Sequence, residues 1–412
     1  MGVGRAVGPP SSPGPINHVF VDGRPPEWLF DKSWPRPDVD RWTARPLSSV
    51  ERPPLKTDPL GIAPGQRRIS LYQMGHTMRA LVTGANGHLG LSLVSLLRAN
   101  GHAVRGSVRS LSAKDKIARL RLIPGVDLVE AEVRNEAQML AALAGIDTLF
   151  HVAAVYSTTE KGKESEILES AIRGTEVALT AAHRSGVRRV ILTSSVVTLP
   201  LTPRGAPPAT EDHWATDLRI PYFRAKVESE KLAWSLAKDL GLELTTILPA
   251  GIIGPGFSRP TPTIDLIQAC LMGVFRLGAP SGTFGFVDVR DVAAAHLRAA
   301  ETGKTGRFIV GYDHIPSYSE LVQTLGTIDP KVGPPLMTLP TLLGPLLPLY
   351  DALSHRVFGT PRIATPELIA TLISGRVVNF SCQRAKALLG WTAAVPFQQS
   401  LKDTVAEIQR VH

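Results

Sequence analysis

The stretch RALVTGANGHLGLSLVSLLR, residues 79–98, decides the fold of this chain. Its apolar start, residues 80–82, has the composition of a buried parallel strand. Glycines then recur every third residue and leucines follow at helical intervals, so the segment predicts a strand, a tight turn and a helix. Such a turn directs several backbone N–H groups and the positive end of a helix dipole at one place. The stretch therefore predicts a pyrophosphate site in an α/β fold with a doubly wound parallel sheet.

The length, composition and net charge of the chain restrict the classes of function that it can have. The chain has 412 residues, 43% hydrophobic and 20% charged, which is typical of a globular protein with a large core. Cys270 and Cys382 lie outside any CxxC or Cys/His cluster, so neither a metal site nor a disulfide framework is expected. Because so few cysteines are present, we expect the protein to work in a reducing compartment, the cytoplasm. The net charge of +9 is spread along the chain without an aromatic-interleaved basic stripe, so no nucleic-acid partner is expected.

Residues 1–77 differ from the rest of the chain. They hold 13 of the 34 prolines and show no sustained apolar periodicity, which predicts a disordered Pro-rich arm. The arm has no apolar segment typical of a secretory signal. Met74 and Met78 directly precede the first strand, and we hypothesise that the native product starts at one of them. An intact mass that begins at Met1, measured on protein from the native host, would refute this.

The three-residue glycine spacing resembles that of the short-chain dehydrogenase/reductase superfamily. The resemblance implies a Rossmann domain over residues 78–255 that binds NAD(P). It also implies a smaller, mainly helical C-terminal substrate lobe over residues 256–412, interleaved with the last Rossmann elements. The predicted cofactor-binding residues of the turn are Gly84, Asn86, Gly87, His88, Leu89 and Gly90.

The end of the second predicted strand bears on the choice of cofactor. An NAD-selective protein usually carries an acidic residue there for the ribose 2′-hydroxyl, whereas this chain has Arg109, with Lys116 close behind. A guanidinium binds a 2′-phosphate that a carboxylate would repel. The sequence therefore favours NADP(H), with NAD(H) and a merely solvated basic turn as the alternatives.

Other strand ends complete the predicted cofactor site. The resemblance implies an adenine contact after the third strand, where Glu132 replaces a shorter Asp, and a ribose contact at the small residues that end the fourth strand. His151, inside that fourth strand, is interpreted as a core histidine. The predicted residues are Glu132, Val133, Val152, Ala153, Ala154, Thr193, Pro249 and Ile252.

Three further residues carry the predicted chemistry. A strand over residues 188–195 ends in hydroxyls, and Tyr222 and Lys226 follow at a spacing that puts both on one helix face. A nearby ammonium favours the phenolate and brings the pKa of a tyrosine toward neutrality. The order Ser, Tyr, Lys resembles the catalytic triad of the superfamily. This implies that Ser195 positions the substrate oxygen, Tyr222 transfers the proton, and Lys226 tunes Tyr222 and holds the nicotinamide ribose.

Residues 104–109 and 151–154 most resemble the dihydroflavonol 4-reductase-like group of the extended, epimerase/dehydratase branch. Residues 248–256 and 286–293 also resemble the extended members. Pro200, however, stands where flavonoid reductases carry a substrate-binding Asn, so a flavonoid is not expected.

The predicted function is NADP(H)-dependent reduction of a carbonyl, or oxidation of a secondary alcohol, on a small or apolar substrate. One alternative is a nucleotide-sugar epimerase that holds NAD tightly. Another is an NADP-binding sensor without turnover, against which the Tyr–Lys pair counts. The resemblance makes a homodimer an option. The apolar, Pro-rich residues 334–350 are too short to span a bilayer, and they are compatible with packing, with lining a pocket or with resting on a membrane surface.

Overall fold

The computed structural model describes residues 77–153, 164–339, 346–360 and 374–411. Three predictions fall wholly or partly outside these ranges: the Pro-rich arm up to residue 76, the cofactor contact of Ala154, and the middle of the Pro-rich apolar stretch. They stay predictions.

Seven parallel strands form the central sheet, in the spatial order β3-β2-β1-β4-β5-β7-β11. The remaining strands form three two-stranded pairs, β8 with β10, β9 with β12, and β6 with β13. The strands are β1 (Arg79–Thr83), β2 (Ala103–Val108), β3 (Val126–Glu130), β4 (Thr148–His151), β5 (Arg189–Thr193), β6 (Thr202–Pro203), β7 (Glu243–Pro249), β8 (Gly251–Ile253), β9 (Ala279–Pro280), β10 (Phe286–Asp288), β11 (Gly306–Val310), β12 (Thr338–Leu339) and β13 (Arg376–Val377).

Helices cover both faces of this sheet, which confirms the predicted doubly wound α/β fold. On one face α1 packs against α7, and on the other α4 packs against α3 and α5. The helices are α1 (His88–Ala99), α2 (Lys114–Arg121), α3 (Glu136–Leu143), α4 (Glu164–Arg184), α5 (Pro221–Leu240), α6 (Pro262–Leu271), α7 (Val289–Thr302), α8 (Tyr318–Ile328), α9 (Leu347–Phe358), α10 (Gln383–Leu389) and α11 (Phe397–Val411), together with a 3-10 turn at Val196–Thr198.

Two apolar clusters lie within the described ranges of the chain. One lies between the sheet and α3–α5 and includes Leu81, Leu149 and Val190 from three neighbouring strands. The other joins α6, α8 and α11 around Phe257 and Phe286, and it forms the core of the predicted C-terminal helical lobe. The exact division at residue 255 stays a prediction, because β11 and α7 return to the main sheet after the lobe has begun.

Strand β1 lies between β2 and β4, so the order of the strands reverses at this point. A crevice forms at the carboxyl ends of the strands at such a switch point, and ligands bind there in open α/β sheets. The predicted glycine turn follows β1 and the predicted hydroxyl-bearing strand end follows β5, so both lie on this edge. Among the described helices, none has the length and apolar composition needed to cross a bilayer.

Two strands are shorter than predicted, and the one expected over residues 188–195 spans only Arg189–Thr193. The fourth strand, expected over residues 147–154, ends at His151. The reason is local, because the next two backbone N–H groups, those of Val152 and Ala153, donate to the hydroxyl of Thr83 and not to a neighbouring strand.

Candidate active site

The glycine turn connects β1 to α1 by backbone hydrogen bonds. The N–H of Gly87 donates to the carbonyl of Gly84 at 2.9 Å, and the N–H of Leu91 donates to that of Gly87 at 2.9 Å. A Cβ on Gly90 would lie 2.2 Å from the Gly84 oxygen, so no side chain fits there. Gly84 itself has a φ of 65°, which disfavours any other residue. The turn therefore keeps the first N–H groups of α1 accessible, as a phosphate site requires.

Thr83 joins this turn to the end of β4. Its buried hydroxyl accepts the N–H groups of Val152 and Ala153, both at 3.1 Å, and lies 3.1 Å from Nδ1 of His151. Burial, together with the charge of Lys226, lowers the pKa of His151 to about 4. His151 is thus a neutral, hydrogen-bonded core residue, as interpreted from the sequence. The role of Thr83 was missed, although a single polar residue that ends an apolar strand is a recognisable signal.

The residues around the turn fit a dinucleotide. Ala85 donates its N–H to the carbonyl of Ser107 at 3.1 Å, and a Cβ on Gly106 would lie 2.9 Å from the Ala85 methyl group. The hydroxyl of Ser107 is buried at the end of β2, and within the described part of the chain it has no hydrogen-bond partner. A backbone cradle lined by small residues, with an unpaired hydroxyl beside it, suits a phosphate–ribose chain.

The side chains of His88 and Asn86 bind protein groups. Nε2 of His88 lies 3.0 Å from the Pro255 carbonyl, and its ring meets Phe257 edge-on at 5.5 Å. Burial lowers the pKa of His88 to about 4. Asn86 donates to the carbonyl of Lys116 at 3.4 Å, which brings the start of α2 against the turn. Because the side chain of His88 is occupied in this way, the cofactor contact predicted for His88 would involve its backbone. The contact predicted for Asn86 would involve only those atoms that do not bind Lys116.

The two cations predicted to read a 2′-phosphate lie at the edge of this cradle. Arg109 directly follows β2, Lys116 lies in the first turn of α2, and both are exposed. Neither pairs with a carboxylate in the ranges that the structure covers. The nearby Glu130 uses its carboxylate to accept the Leu111 N–H at 2.9 Å. Both cations are therefore available to an anionic ligand.

The remaining predicted contacts lie at other strand ends. The Glu132 carboxylate pairs with Arg134 at 3.4 Å, and its N–H donates to Gln138 at 2.8 Å. Val133 packs against the partly apolar face of α4. Pro249 ends β7, and Ile252 pairs with Val287 in the β8–β10 ladder. The approach of Glu132, Val133, Pro249 and Ile252 to a cofactor stays a prediction.

The structure brings the three predicted catalytic residues to the end of β5. Ser195 precedes the 3-10 turn, and its hydroxyl accepts the Val197 N–H at 3.3 Å. Helix α5 starts at Pro221, which places Tyr222 in its first turn and Lys226 one turn later, and it packs against the 3-10 turn. Nζ of Lys226 donates to the carbonyl of Thr193 at 3.2 Å. Strand end and helix are therefore fixed to each other at the residues that would react.

Burial gives this lysine an unusual pKa. Lys226 is partly buried, and desolvation of its ammonium lowers its pKa from 10.5 to about 8, while the carboxylate of Glu230 acts in the opposite direction. Tyr222 is also buried. An ammonium that loses its proton near neutral pH, one helical turn from a phenol, is suited to tuning proton transfer by that phenol.

Glu230 holds the sheet side of the site and was not found from the sequence. Its buried carboxylate accepts hydrogen bonds from Ser194 at 2.6 Å, from Thr246 at 2.8 Å and from Nε of Arg307 at 2.9 Å. It therefore connects α5 to β5, β7 and β11. The only sequence signal is a glutamate one turn after Lys226, and this spacing alone does not separate a buried carboxylate from a surface one.

Arg307 extends the same network to the far side of Ser195. Its guanidinium donates to the Thr198 hydroxyl at 2.8 Å and to the carbonyls of Glu211 at 2.5 Å and His213 at 2.8 Å. It also stacks on the ring of Trp214 at 3.7 Å. The pair thus holds the chain on both sides of Ser195, at Ser194 through Glu230 and at Thr198 through Arg307.

A small cavity lies between the 3-10 turn, the first turn of α5 and residues 378–380, and Ser195, Tyr222 and Lys226 are not among the residues that line it. Its wall is apolar except for Asn379, whose side chain donates to the Ala206 carbonyl at 3.1 Å. Phe223 adjoins Tyr222 in sequence, and Pro200 occupies the position expected to disfavour a flavonoid. The wall consists of Val196, Val197, Leu199, Pro200, Leu201, Phe223, Val378, Asn379 and Phe380.

Comparison with known proteins agrees with this geometry. Residues 80–311 match the model of the NAD dependent epimerase/dehydratase family. The chain is 34% identical over 294 residues to sterol demethylase protein B of Methylococcus capsulatus, covering 69% of this chain and 85% of that one. It is 32% identical to a putative dihydroflavonol 4-reductase of Synechocystis, over 61% of this chain and 73% of that protein. It is 29% identical to cinnamoyl-CoA reductase CAD2 of Medicago truncatula, over 62% of this chain and 82% of that protein.

Solved structures show the same fold. The crystal structure of gox2253 aligns over 80% of this chain and 98% of its own, with a TM-score of 0.67 and 28% identity. Yeast methylglyoxal/isovaleraldehyde reductase Gre2, solved with NADPH, aligns over 80% and 98% with a TM-score of 0.63 and 20% identity.

The chain belongs to the NAD dependent epimerase/dehydratase family. The predicted resemblance to extended short-chain dehydrogenases/reductases of the dihydroflavonol 4-reductase-like group is confirmed. The family is NAD(P)-dependent, and the chain is an NAD(P)-dependent oxidoreductase.

Proposed function

We propose that the chain reduces a carbonyl to an alcohol, or catalyses the reverse oxidation, with NADP(H), on a small or apolar substrate. The observation that carries the proposal is the hydrogen bond from Lys226 to Thr193 at 3.2 Å. It holds the helix that bears Tyr222 against the strand end that leads into Ser195. Three residues with complementary acid–base roles thereby share one edge of the nucleotide-binding sheet.

Each residue has a defined part in this mechanism. The Ser195 hydroxyl donates to the substrate oxygen and holds it in place. The Tyr222 phenol gives its proton to that oxygen as negative charge develops on it. The Lys226 ammonium stabilises the resulting phenolate. When bound, the nicotinamide supplies or accepts the hydride. In the reverse direction Tyr222 removes the proton of the alcohol.

Arg109 and Lys116 support NADP(H) over NAD(H). Both are exposed beside the glycine turn. A 2′-phosphate placed there would gain charge-assisted hydrogen bonds, whereas a 2′-hydroxyl would gain neutral ones.

The cavity and the relatives support an apolar substrate. A wall with a single polar side chain offers little to a sugar nucleotide, which needs many hydrogen bonds. One relative is named for sterol demethylation and another for the reduction of cinnamoyl-CoA, and a sterol and a cinnamoyl group are both largely apolar. We further infer a cytoplasmic location, and a homodimer on the basis of the family resemblance.

The test is a fluorescence titration of cofactor-stripped protein with NADPH and with NADH, followed by a carbonyl screen. We expect NADPH to bind at least about tenfold more tightly. Arg109→Gln should reduce this preference, while Arg204→Gln, a change at an exposed arginine in the β6 turn, should leave it unchanged. Preference for NADH, or NAD that cannot be removed, would favour the epimerase alternative. Tight NADPH binding without turnover of any carbonyl or alcohol would favour a sensor.

A further inference from the structure

Helix α9 presents its apolar residues to solvent. Leu349 is 71% exposed, Leu353 58% and Val357 59%, at intervals of four residues that align them on one face. Leu346, directly before the helix, is 59% exposed and extends the same row. Single exposed leucines are common, but a row along one helix face is not.

The opposite face of α9 is polar and buried. Asp351 and Ser354 are 3% and 6% exposed, and the Ser354 hydroxyl accepts a hydrogen bond from Thr360 at 3.0 Å. The usual arrangement of a surface helix, with its apolar stripe toward the core, is therefore inverted. The helix must gain stability from something that covers its outer face.

Two neighbouring segments continue this surface. Tyr350 donates its hydroxyl hydrogen to the Val274 carbonyl at 2.9 Å, which ties α9 to the turn that carries Leu277, 64% exposed. The N–H of Leu336 donates to the Arg276 carbonyl at 3.0 Å, which adds Leu336, 76% exposed. The lobe thus carries an exposed apolar surface made of the outer face of α9, Met272, Leu277 and residues 336–337.

The charges on these segments are mostly positive. In α9 the carboxylate of Asp351 is buried, whereas the guanidinium of Arg356 is exposed. Arg276 is exposed beside Leu277. Lys331 is exposed, and the nearby Asp329 is partly buried and accepts the Lys331 N–H at 3.0 Å. Apolar side chains bordered by cations match a bilayer surface that contains anionic lipid.

We propose that this surface, centred on α9, binds the interface of an anionic membrane with its helix axis in the membrane plane. Leu349, Leu353 and Val357 would enter the headgroup–acyl boundary, and Arg276 and Arg356 would contact lipid phosphates. This attachment is peripheral. It does not depend on the proposed reaction, because no residue of the catalytic or cofactor site takes part.

Sedimentation of the full-length protein with vesicles tests the proposal. The vesicles are phosphatidylcholine alone, or phosphatidylcholine with about one third phosphatidylglycerol. We expect binding to the anionic vesicles and a loss of roughly fivefold in affinity when Arg356→Gln removes one cation. The double change Leu349→Glu with Leu353→Glu should lower the bound fraction by at least about tenfold.

A matched control variant tests whether the position of the introduced charge matters, and not only its presence on the protein surface. Leu388→Glu places the same charge on another exposed leucine, in α10, and should leave vesicle binding unchanged. All variants should bind NADPH like the wild type, so a failure here would be distinct from a failure of the proposed reaction.

Two results would overturn the proposal. One is wild-type protein that stays in solution with both kinds of vesicle. The other is sedimentation velocity showing a dimer that the double variant converts to a monomer, without vesicle binding, since a second copy of the chain would then cover the surface.

Discussion

The two sides of the crevice are built in opposite ways. On the β1 side, the site depends on the absence of side chains, because Gly84 and Gly90 let the backbone turn and the helix approach the strand. On the β5 side, it depends on buried charge, because Glu230 and Arg307 join three strands to α5 beneath Ser195. Under the proposed function, the backbone would hold the cofactor on the β1 side, while buried side chains would position the reacting groups on the β5 side.

This difference predicts how each side fails. A change in the glycine turn adds atoms where none fit, so the geometry must shift. A change in the buried network leaves the shape intact and removes a charge, so the electrostatics and the positioning of Ser195 and Lys226 must shift. The first should affect cofactor binding, and the second should affect turnover.

The largest effect is expected for Gly90→Ala. The added methyl group would lie 2.2 Å from the Gly84 carbonyl oxygen, so α1 must move away from the turn. We expect NADPH affinity to fall at least about 100-fold in a fluorescence titration. Gly333→Ala is the control, because the atom nearest to its added Cβ, Nε of Arg276, is 3.9 Å away and its φ is not in the left-handed region. If Gly90→Ala binds NADPH like the wild type, the backbone-built side of the comparison is wrong.

Glu230→Gln should give the next largest effect. It leaves the buried Arg307 without its carboxylate, which should lower the free energy of unfolding by roughly 3–5 kcal/mol. It also removes the group that raises the pKa of Lys226, so that the pKa falls further below 8 and the alkaline limb of the pH–rate profile moves to lower pH. Denaturant unfolding and kcat measured against pH check both expectations.

Two further variants separate positioning from stability. Glu228→Gln, on the exposed face of the same helix, breaks a surface pair with Arg224 and should change little. Glu230→Gln combined with Arg307→Met removes both charges and should recover stability. If this double variant also recovers full turnover, the pair only stabilises the fold and does not position Ser195.

The smallest of the expected effects is a change in how the free energy of unfolding depends on pH. Burial lowers the pKa of His151 and of His296 to about 4. The unfolded chain therefore binds more protons than the folded one between about pH 6.5 and pH 4, and stability falls as pH falls through this window. His296 also hydrogen-bonds Thr193 at 2.8 Å, so this titration bears on the β5 side.

His296→Gln should reduce the slope of stability against pH by up to about 1.4 kcal/mol per pH unit. The slope is measured by urea unfolding at about pH 4.5, 5.5 and 7, so that two of the values lie inside the pH window and one lies above it. His183→Gln changes an exposed histidine and should leave the slope unchanged. An identical slope in the wild type and in His296→Gln would show that His296 is not held neutral.

The sequence predicted the β1 side better than the β5 side, for a physical reason. The strand, the turn and α1 occupy consecutive residues, and each shows its own period, so residues 79–98 were sufficient. Ser195, Tyr222 and Lys226 were predicted only because their order resembles a family triad, and their catalytic role stays a prediction. Glu230 and Arg307 were not, because 77 residues separate them and nothing in a local pattern shows that β11 brings them together. Thr83 was missed for a similar reason, since its partners lie on β4.

The outer face of α9 could not be predicted either. Residues 346–357 have an ordinary amphipathic period, which in a surface helix places the leucines inside. Only the structure shows that Asp351 and Ser354 face inward and the leucines outward. A period identifies two faces of a helix, but it does not identify which face is covered.

The most direct test of the account is a single-turnover measurement with Tyr222→Phe, using a carbonyl substrate found in the screen. The change removes the proton-donating hydroxyl and leaves the cofactor site untouched. The account predicts NADPH affinity within about twofold of the wild type, together with a loss of roughly 10²–10⁴-fold in the rate of NADPH oxidation. A variant that binds NADPH and turns over at the wild-type rate would contradict the assignment of Tyr222 as the proton donor.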